Sequence, residues 1–120
     1  KVAPADVELA ILADPLFAQV CVIGEKRPFL AVLLVLDRGR WVQADAGPLN
    51  EPAALRLVLA RIRKLLGAFP AYATPRAAWC TLEPWTVENG LITPTLKIKR
   101  TALGERFAAQ IQELYAGARH

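Results

Sequence analysis

An uninterrupted apolar run in the first third of the chain restricts the possible folds more than any other feature. Residues 29–36 read Phe-Leu-Ala-Val-Leu-Leu-Val-Leu, so a strand built from them is apolar on both faces. Such a strand is stable where helices cover both sides of the sheet. Eight residues are also too few for a membrane-spanning helix, which needs roughly twenty. The run therefore predicts a central strand, with helices above and below it.

Hydrophobic periodicity and turn residues predict the remaining elements around this strand. The predicted strands are Phe17–Ile23, Pro28–Leu36 and Ala78–Leu82, and the predicted helices span about residues 4–13, 51–69 and 101–116, with a short helical turn at 40–44. The polar connection Gly24–Arg27 joins the first two strands as a hairpin, and the third strand pairs with it. We expect an α+β fold, in which about three helices flank a small, mainly antiparallel three-stranded sheet followed by a C-terminal hairpin or loop.

Length and composition indicate one globular domain that spans residues 1–120. The chain is 54% hydrophobic and 22% charged, which is typical of a folded protein. Its net charge of +4 permits an acidic partner but is too small to indicate nucleic acid by itself. Cys21 and Cys80 lie in apolar runs and are expected to be buried, reduced thiols.

Two further features concern the origin and location of the chain. It opens on Lys1 and contains no methionine, so we expect a piece cut from a longer protein. No segment resembles a signal peptide, and we expect a soluble, cytoplasmic protein.

The residues needed for a self-sufficient enzyme are missing from the sequence. The single histidine, His120, is the last residue, so no Ser-His-Asp set is available. The chain also has no phosphate-binding glycine loop and no metal-ligand spacing, and we expect no metal site. If this chain takes part in catalysis, it must supply a group to a site that is built elsewhere. A lysine on a loop is suited to that role, because its compact charge can be placed between anionic oxygens.

The segment 85–100 combines the strongest turn signal of the chain with its densest group of cations. Asn89-Gly90 favours a two-residue hairpin, because both residues tolerate a positive φ. Pro94 then prevents a simple continuation of a central strand. Lys97, Lys99 and Arg100 follow, directly before the last predicted helix. Such a cluster is either a solvated flank or a means of carrying positive charge to a partner, and charge runs usually face solvent.

Five segments of the chain match the pattern of a known family: residues 1–8 (Lys-Val-Ala-Pro-Ala-Asp-Val-Glu), 14–17 (Asp-Pro-Leu-Phe), 22–24 (Val-Ile-Gly), 27–31 (Arg-Pro-Phe-Leu-Ala) and, most specifically, 83–100. Through them the chain resembles the C-terminal domain of the adenylate-forming superfamily, and among its members the bacterial long-chain fatty acyl-CoA synthetases. The final motif of the superfamily usually reads Gly-Lys-aliphatic-any-Arg. Here it reads Leu96-Lys97-Ile98-Lys99-Arg100, so that leucine replaces the commoner glycine.

The resemblance implies roles for several residues of the segment 83–100. Lys97 aligns with the catalytic lysine, while Lys99 is the competing candidate if the register is shifted. Lys99 and Arg100 are expected to position substrate or nucleotide, with Arg100 structural at the start of the last helix. Asn89, Gly90 and Pro94 are expected to shape the loop.

The resemblance also implies the reaction and its partners. The chain would be the mobile lid of an ATP-dependent acid–CoA ligase, inactive in isolation, and would rotate between adenylate formation and thioester formation. Its partners would be its own N-terminal AMP-binding domain, a fatty acid, ATP and coenzyme A, with no nucleic acid. ATP and Mg²⁺ would be bound mainly by that N-terminal domain. The resemblance is also compatible with a peripheral contact between the full-length enzyme and the inner membrane.

Two alternatives belong to other functional classes. A free-standing basic module could bind RNA or another phosphate-rich partner, and it would need aromatic side chains beside its cations on an exposed sheet face. An inert interaction domain would be indicated if Lys97 were buried in an ion pair.

Overall fold

A computed structural model describes residues 2–116 and confirms the α+β class. Three strands form one sheet in the order β1–β2–β3. The strands are β1 (Phe17–Ile23), β2 (Ala31–Leu36) and β3 (Ala77–Thr81), and the helices are α1 (Pro4–Ile11), α2 (Arg38–Ala44), α3 (Pro52–Leu65), α4 (Arg100–Arg106) and α5 (Ala108–Ala116), with a 3-10 turn at Ala71–Ala73. The described residues thus contain five α-helices, where about three were expected. His120 lies outside the described residues.

Strand β2 is the centre of the fold, as the apolar run predicted. All six of its residues are buried. Val32, Leu34 and Leu36 belong to one apolar cluster, together with α1 and α3. Ala31, Leu33 and Val35 belong to a second cluster, on the side of α4 and α5. The alternation of side chains along the strand therefore divides the core into two layers, one on each face of the sheet.

The sheet is mixed, and not mainly antiparallel as expected. β1 and β2 are antiparallel, from Phe17 opposite Leu36 to Ile23 opposite Ala31. β2 and β3 are parallel, with Ala31 opposite Ala77 and Val35 opposite Thr81. A parallel pair needs a long connection that returns the chain to its starting edge. Helices α2 and α3, which lie between these two strands, form that crossover.

The C-terminal segment forms two helices, where the periodicity predicted one helix over residues 101–116. The break lies at Phe107, whose backbone leaves the helical region with φ −109° and ψ 26°. The Phe107 ring packs 5.1 Å from Trp79 and 6.5 Å from Trp85, measured between ring centroids. These contacts tie the start of the segment 85–100 to the face of the sheet that α4 and α5 cover.

Candidate functional site

A tight hairpin turn at residues 93–97 presents the predicted catalytic lysine. Ile92 and Ile98 pair as an antiparallel bridge at its base. The Thr93 amide donates a hydrogen bond of 2.8 Å to the Lys97 carbonyl, and the Leu96 amide donates one of 2.8 Å to the Thr93 carbonyl. The Lys97 amide donates in turn to the Thr93 hydroxyl, over 3.1 Å. Both backbone polar groups of Lys97 are therefore held by one threonine.

The Lys97 side chain is free of such constraints. It is exposed, and no carboxylate among residues 2–116 forms a salt bridge with it. A lysine buried in an ion pair would have indicated an inert domain, and the structure shows the opposite. The turn thus combines a fixed backbone with an accessible ammonium group, which is the arrangement that delivery of a positive charge requires.

The hairpin does not form where the sequence predicted it. The prediction of a two-residue hairpin at Asn89-Gly90 is wrong. These residues end a turn over 87–90, and no strands pair across that turn. The Asn89 side-chain oxygen accepts a hydrogen bond of 2.9 Å from the Thr86 amide, and the Thr86 hydroxyl accepts one of 3.0 Å from the Asn89 amide. Gly90 follows with φ +79°, in the left-handed region that favours glycine. Both residues therefore shape the path into the lysine turn, in which Pro94 occupies the exposed bend.

A side-chain amide anchors the start of the segment to the edge of the sheet. Gln19, on β1, donates from Nε2 to the Trp85 carbonyl over 3.0 Å and accepts from the Trp85 amide over 2.8 Å. The two hydrogen bonds reproduce those of a neighbouring strand. Trp85 itself is 2% exposed and packs in the second core cluster. Sequence reasoning missed Gln19, because one glutamine in a strand carries no signal of its partner 66 residues away.

Arg100 is held by a carboxylate on α1. Its Nη1 and Nη2 atoms donate to the Glu8 oxygens Oε2 and Oε1 over 2.7 and 2.6 Å. These hydrogen bonds raise the pKa of Arg100 above its usual value. Arg100 is the first residue of helix α4, so this contact joins the start of α4 to α1. Lys99, by contrast, is exposed, and its amide donates to the Leu91 carbonyl over 2.9 Å.

The two cysteines are buried free thiols, as expected. Cys21 is 1% exposed and Cys80 is 2% exposed. Burial is the main cause that raises the pKa of Cys21 to about 11, and it raises the pKa of Cys80 to about 12. Both side chains are therefore protonated near neutral pH and unsuited to nucleophilic chemistry.

Other kinds of site receive no support from the part of the chain that is described. No group of three or more His, Cys, Asp or Glu side chains within residues 2–116 could hold a metal ion. Over the same residues, no helix is long and apolar enough to cross a bilayer. The RNA-binding alternative required an exposed sheet face with aromatic residues, whereas helices and the segment 85–100 cover both faces of β2.

The fold and the turn define a class of small α+β domain that presents a lysine, Lys97, on a hydrogen-bonded hairpin. The family model for the C-terminal domain of AMP-binding enzymes matches residues 1–119. The chain therefore belongs to the family of AMP-binding enzyme C-terminal domains, as its resemblance to the adenylate-forming superfamily predicted.

Similar proteins from several organisms contain this domain as a small part of their length. A long-chain-fatty-acid–CoA ligase of Mycobacterium tuberculosis is 30% identical over 126 residues, covering 96% of this chain and 21% of the ligase. A chloroplastic long-chain-fatty-acid–[acyl-carrier-protein] ligase of Arabidopsis thaliana is 28% identical and covers 97% of this chain and 16% of that protein. The adenylation domain of a carboxylate reductase from Mycobacterium chelonae superposes with a TM-score of 0.85 at 26% identity, over 96% of this chain and 18% of that one.

Proposed function

We propose that this chain is the mobile lid of an ATP-dependent long-chain fatty acid–CoA ligase, and that Lys97 stabilises the adenylate-forming step. The observation that supports this most is the lysine turn, in which Thr93 fixes both backbone polar groups of Lys97 while the ammonium group stays exposed. The chain spans about a fifth or less of the ligases that it matches, so the rest of the active site would lie on an N-terminal AMP-binding domain.

The first half-reaction explains why a cation is needed. A carboxylate oxygen attacks the α-phosphorus of ATP, the bond from that phosphorus to the bridging oxygen breaks, and pyrophosphate leaves with the bonding electrons. Both reactants are anions, and charge builds up on the phosphate oxygens in the transition state. A lysine ammonium group placed there offsets the mutual repulsion of the two anions and the charge that develops between them, so it stabilises the transition state more than either separate reactant. A bound Mg²⁺ would neutralise further phosphate charge, from ligands on the N-terminal domain.

The second half-reaction has no such requirement. The sulfur of coenzyme A attacks the acyl carbon, the bond from that carbon to the phosphate oxygen breaks, and AMP leaves while the thiol proton passes to solvent. Lys97 is therefore needed in the first step and can be withdrawn for the second. A rotation of the whole domain about a hinge would achieve this, because hydrogen bonds hold the turn together and tie its segment to β1.

The most specific part of this proposal is the identity of the molecule that accepts the acyl group. The similar proteins include ligases that transfer the acyl group to coenzyme A and one that transfers it to an acyl carrier protein, and a carboxylate reductase domain shares the fold. The proposed adenylation step would be the same whichever of these acceptors receives the acyl group. We assign coenzyme A and a long-chain acid on the whole-length similarity to the CoA ligase, and a cytoplasmic location consistent with those substrates.

The test separates the two half-reactions in the full-length enzyme. We expect Lys97→Ala to lower the rate of adenylate formation, measured as pyrophosphate release, by about a hundred- to a thousandfold, the usual effect of removing one donor of this kind. Thioester formation from supplied acyl-adenylate should change by less than about threefold, because no bond to phosphorus forms or breaks in that step.

Lys99→Ala is the matched control for this substitution. Lys99 lies two residues away and is also exposed, so its removal changes the charge of the loop equally. We expect adenylate formation to fall by less than about threefold, since long-range charge is screened in solution. Equal losses in both half-reactions for Lys97→Ala, or a larger loss for Lys99→Ala, would contradict the assigned role.

A further inference from the structure

We propose that Glu8 is a positioning residue for Lys97 and acts through Arg100. This inference rests on the proposed function, because it concerns how the lysine turn is held for adenylate formation. Glu8 and Arg100 are 92 residues apart in sequence. Their contact connects helix α1 to the residue at which the lysine turn becomes helix α4.

The geometry makes this contact a rigid one. Arg100 binds Glu8 through two parallel hydrogen bonds, Nη1 to Oε2 at 2.7 Å and Nη2 to Oε1 at 2.6 Å. Oxygen Oε2 also accepts a hydrogen bond of 2.8 Å from the Val22 amide on β1. The carboxylate is therefore fixed by the sheet as well as by its own helix. A guanidinium group bound in this bidentate way is restricted in orientation as well as in distance.

Burial makes the pair difficult to separate. The Glu8 side chain is 10% exposed, while that of Arg100 is 45% exposed. A carboxylate so poorly solvated needs its cation, because leaving it unpaired would carry a large desolvation penalty. Arg100 is consequently held against α1, although much of its side chain could otherwise be solvated.

The ion pair between Glu8 and Arg100 affects the lysine turn because Arg100 lies shortly after it. Lys97 precedes Arg100 by three residues, and Lys99 provides no side-chain cap for α4. Thr93 and the bridge from Ile92 to Ile98 fix the turn internally. Arg100 fixes the end of the turn against the body of the domain. Its loss would let the hairpin tilt as a unit, which displaces the ammonium group without unfolding the turn.

A purely structural role for this ion pair is the alternative, and the chain contains a matched pair for comparison. Arg61 and Asp14 form another bidentate contact, with hydrogen bonds of 2.7 and 2.8 Å. Their side chains are 42% and 12% exposed, close to the values of the first pair. This second pair connects the loop between α1 and β1 to α3 and does not involve the segment 85–100. It therefore controls for the loss of a similar ion pair elsewhere.

The experiment uses Glu8→Gln and Arg100→Lys in the full-length enzyme. Glu8→Gln keeps an oxygen that can accept the hydrogen bond from the Val22 amide but removes the negative charge. Arg100→Lys keeps the positive charge but cannot form the two parallel hydrogen bonds of the guanidinium group. We expect each to lower kcat for adenylate formation by about ten- to a hundredfold, since a displacement of about 1 Å can cost a hundredfold. KM for ATP and thioester formation from supplied acyl-adenylate should change by less than about threefold. The double variant should be no worse than the poorer single variant, because both break one interaction.

Asp14→Asn and Arg61→Lys should leave both half-reactions within about twofold. Equal losses in the two half-reactions, or similar losses in these controls, would overturn the positioning role. Should one variant fold poorly, the other tests the same contact. Lys97→Ala separates this inference from the proposed function. If it abolishes adenylation while Glu8→Gln and Arg100→Lys are active, only the positioning role fails; if it leaves adenylation intact, the proposed function fails.

Discussion

Leu96 carries the most unusual backbone conformation next to the proposed catalytic lysine. Its φ is +67°, in the left-handed region, and its side chain is 75% exposed. A residue with a Cβ atom in that region is strained by about 1–2 kcal/mol, whereas glycine is not. The superfamily motif that the sequence resembles usually has glycine at this position, which agrees with the conformation of the turn.

Leu96→Gly is therefore expected to stabilise the chain. The relieved strain exceeds the extra unfolded-state entropy of glycine, about 0.5–1 kcal/mol, so the net gain should be up to about 1 kcal/mol, or a few degrees in Tm. Thermal unfolding followed by circular dichroism measures this. Leu96→Ala keeps the strained backbone and should show no gain. A lower Tm for Leu96→Gly would mean that the exposed leucine makes a stabilising contact.

The ion pair of Asp14 gives the chain a defined dependence on pH. Hydrogen bonds from Arg61 lower the pKa of Asp14 below its usual 3.8. A carboxylate with a lower pKa in the folded state contributes stability above the unfolded value, and that contribution is lost as the pH falls through the folded value. We expect Asp14→Asn to reduce the free energy of unfolding by about 1 kcal/mol at pH 7. In urea titrations the difference should shrink below about pH 3.8. An equal difference at pH 7 and pH 3 would contradict this.

At the scale of elements, one side chain satisfies the backbone groups of Cys80 at the outer edge of β3. Asn50 donates from Nδ2 to the Cys80 carbonyl and accepts at Oδ1 from the Cys80 amide, both over 2.8 Å. Asn50 has φ +66°, which asparagine tolerates better than most residues. Its amide thus satisfies strand groups that would otherwise be free to pair with another chain.

We expect Asn50→Asp to destabilise the chain by about 1–3 kcal/mol, measured by urea denaturation at pH 7. The substitution keeps the shape and the acceptor but places a carboxylate oxygen against the Cys80 carbonyl. Asn89→Asp is the matched control, because its Nδ2 also donates to a carbonyl, that of Pro84, in an exposed position. Water can replace that donor, so the loss should be under about 1 kcal/mol. Equal losses would show that burial of the sheet edge is unimportant.

The elements that the sequence predicted well are those specified by their own side chains. Strand β1 was predicted at its observed bounds, and β2 was recognised as central because none of its residues is polar. The parallel pairing of β3 was missed, although a helix of 14 residues between β2 and β3 is the usual sign of a crossover. The turn at Leu96 was missed for a different reason, since leucine is a poor residue for a positive φ.

The description of the candidate site needed both the sequence motif and the contacts seen in the structure. The motif around Lys97 could be found because its residues are contiguous, and the resemblance supplied the role. The partners that hold the segment could not be found in this way. Gln19 meets Trp85 across 66 residues and Glu8 meets Arg100 across 92, and a single sequence gives no sign of which distant polar residues pair. Sequence reasoning therefore supplied the residue proposed to be catalytic, Lys97, but not the contacts that hold its segment in place.

At the scale of the whole molecule, the proposed function places Lys97 and the rest of the active site on different domains. The rate of adenylation by the two separated domains should therefore depend on their concentration. Under the proposed function, a tether to the N-terminal domain keeps Lys97 at an effective concentration on the order of 1 mM. The two pieces, purified separately, would have to find each other by diffusion. Contacts between domains of one chain resemble transient interfaces, so their affinity without the tether should be weak.

We therefore expect this chain alone to form no acyl-adenylate, and to restore adenylation to the separate N-terminal domain only near millimolar concentration. At about 10 µM it should recover no more than a few per cent of the full-length rate, and the rate should rise in proportion to the added chain. Pyrophosphate release provides the measurement. At equal concentration the Lys97→Ala chain should restore about a hundred- to a thousandfold less activity than the unmodified chain, whereas the Lys99→Ala chain should stay within about threefold of it. Equal restoration by the Lys97→Ala chain would show that the domain acts by closing the site and not by supplying the cation.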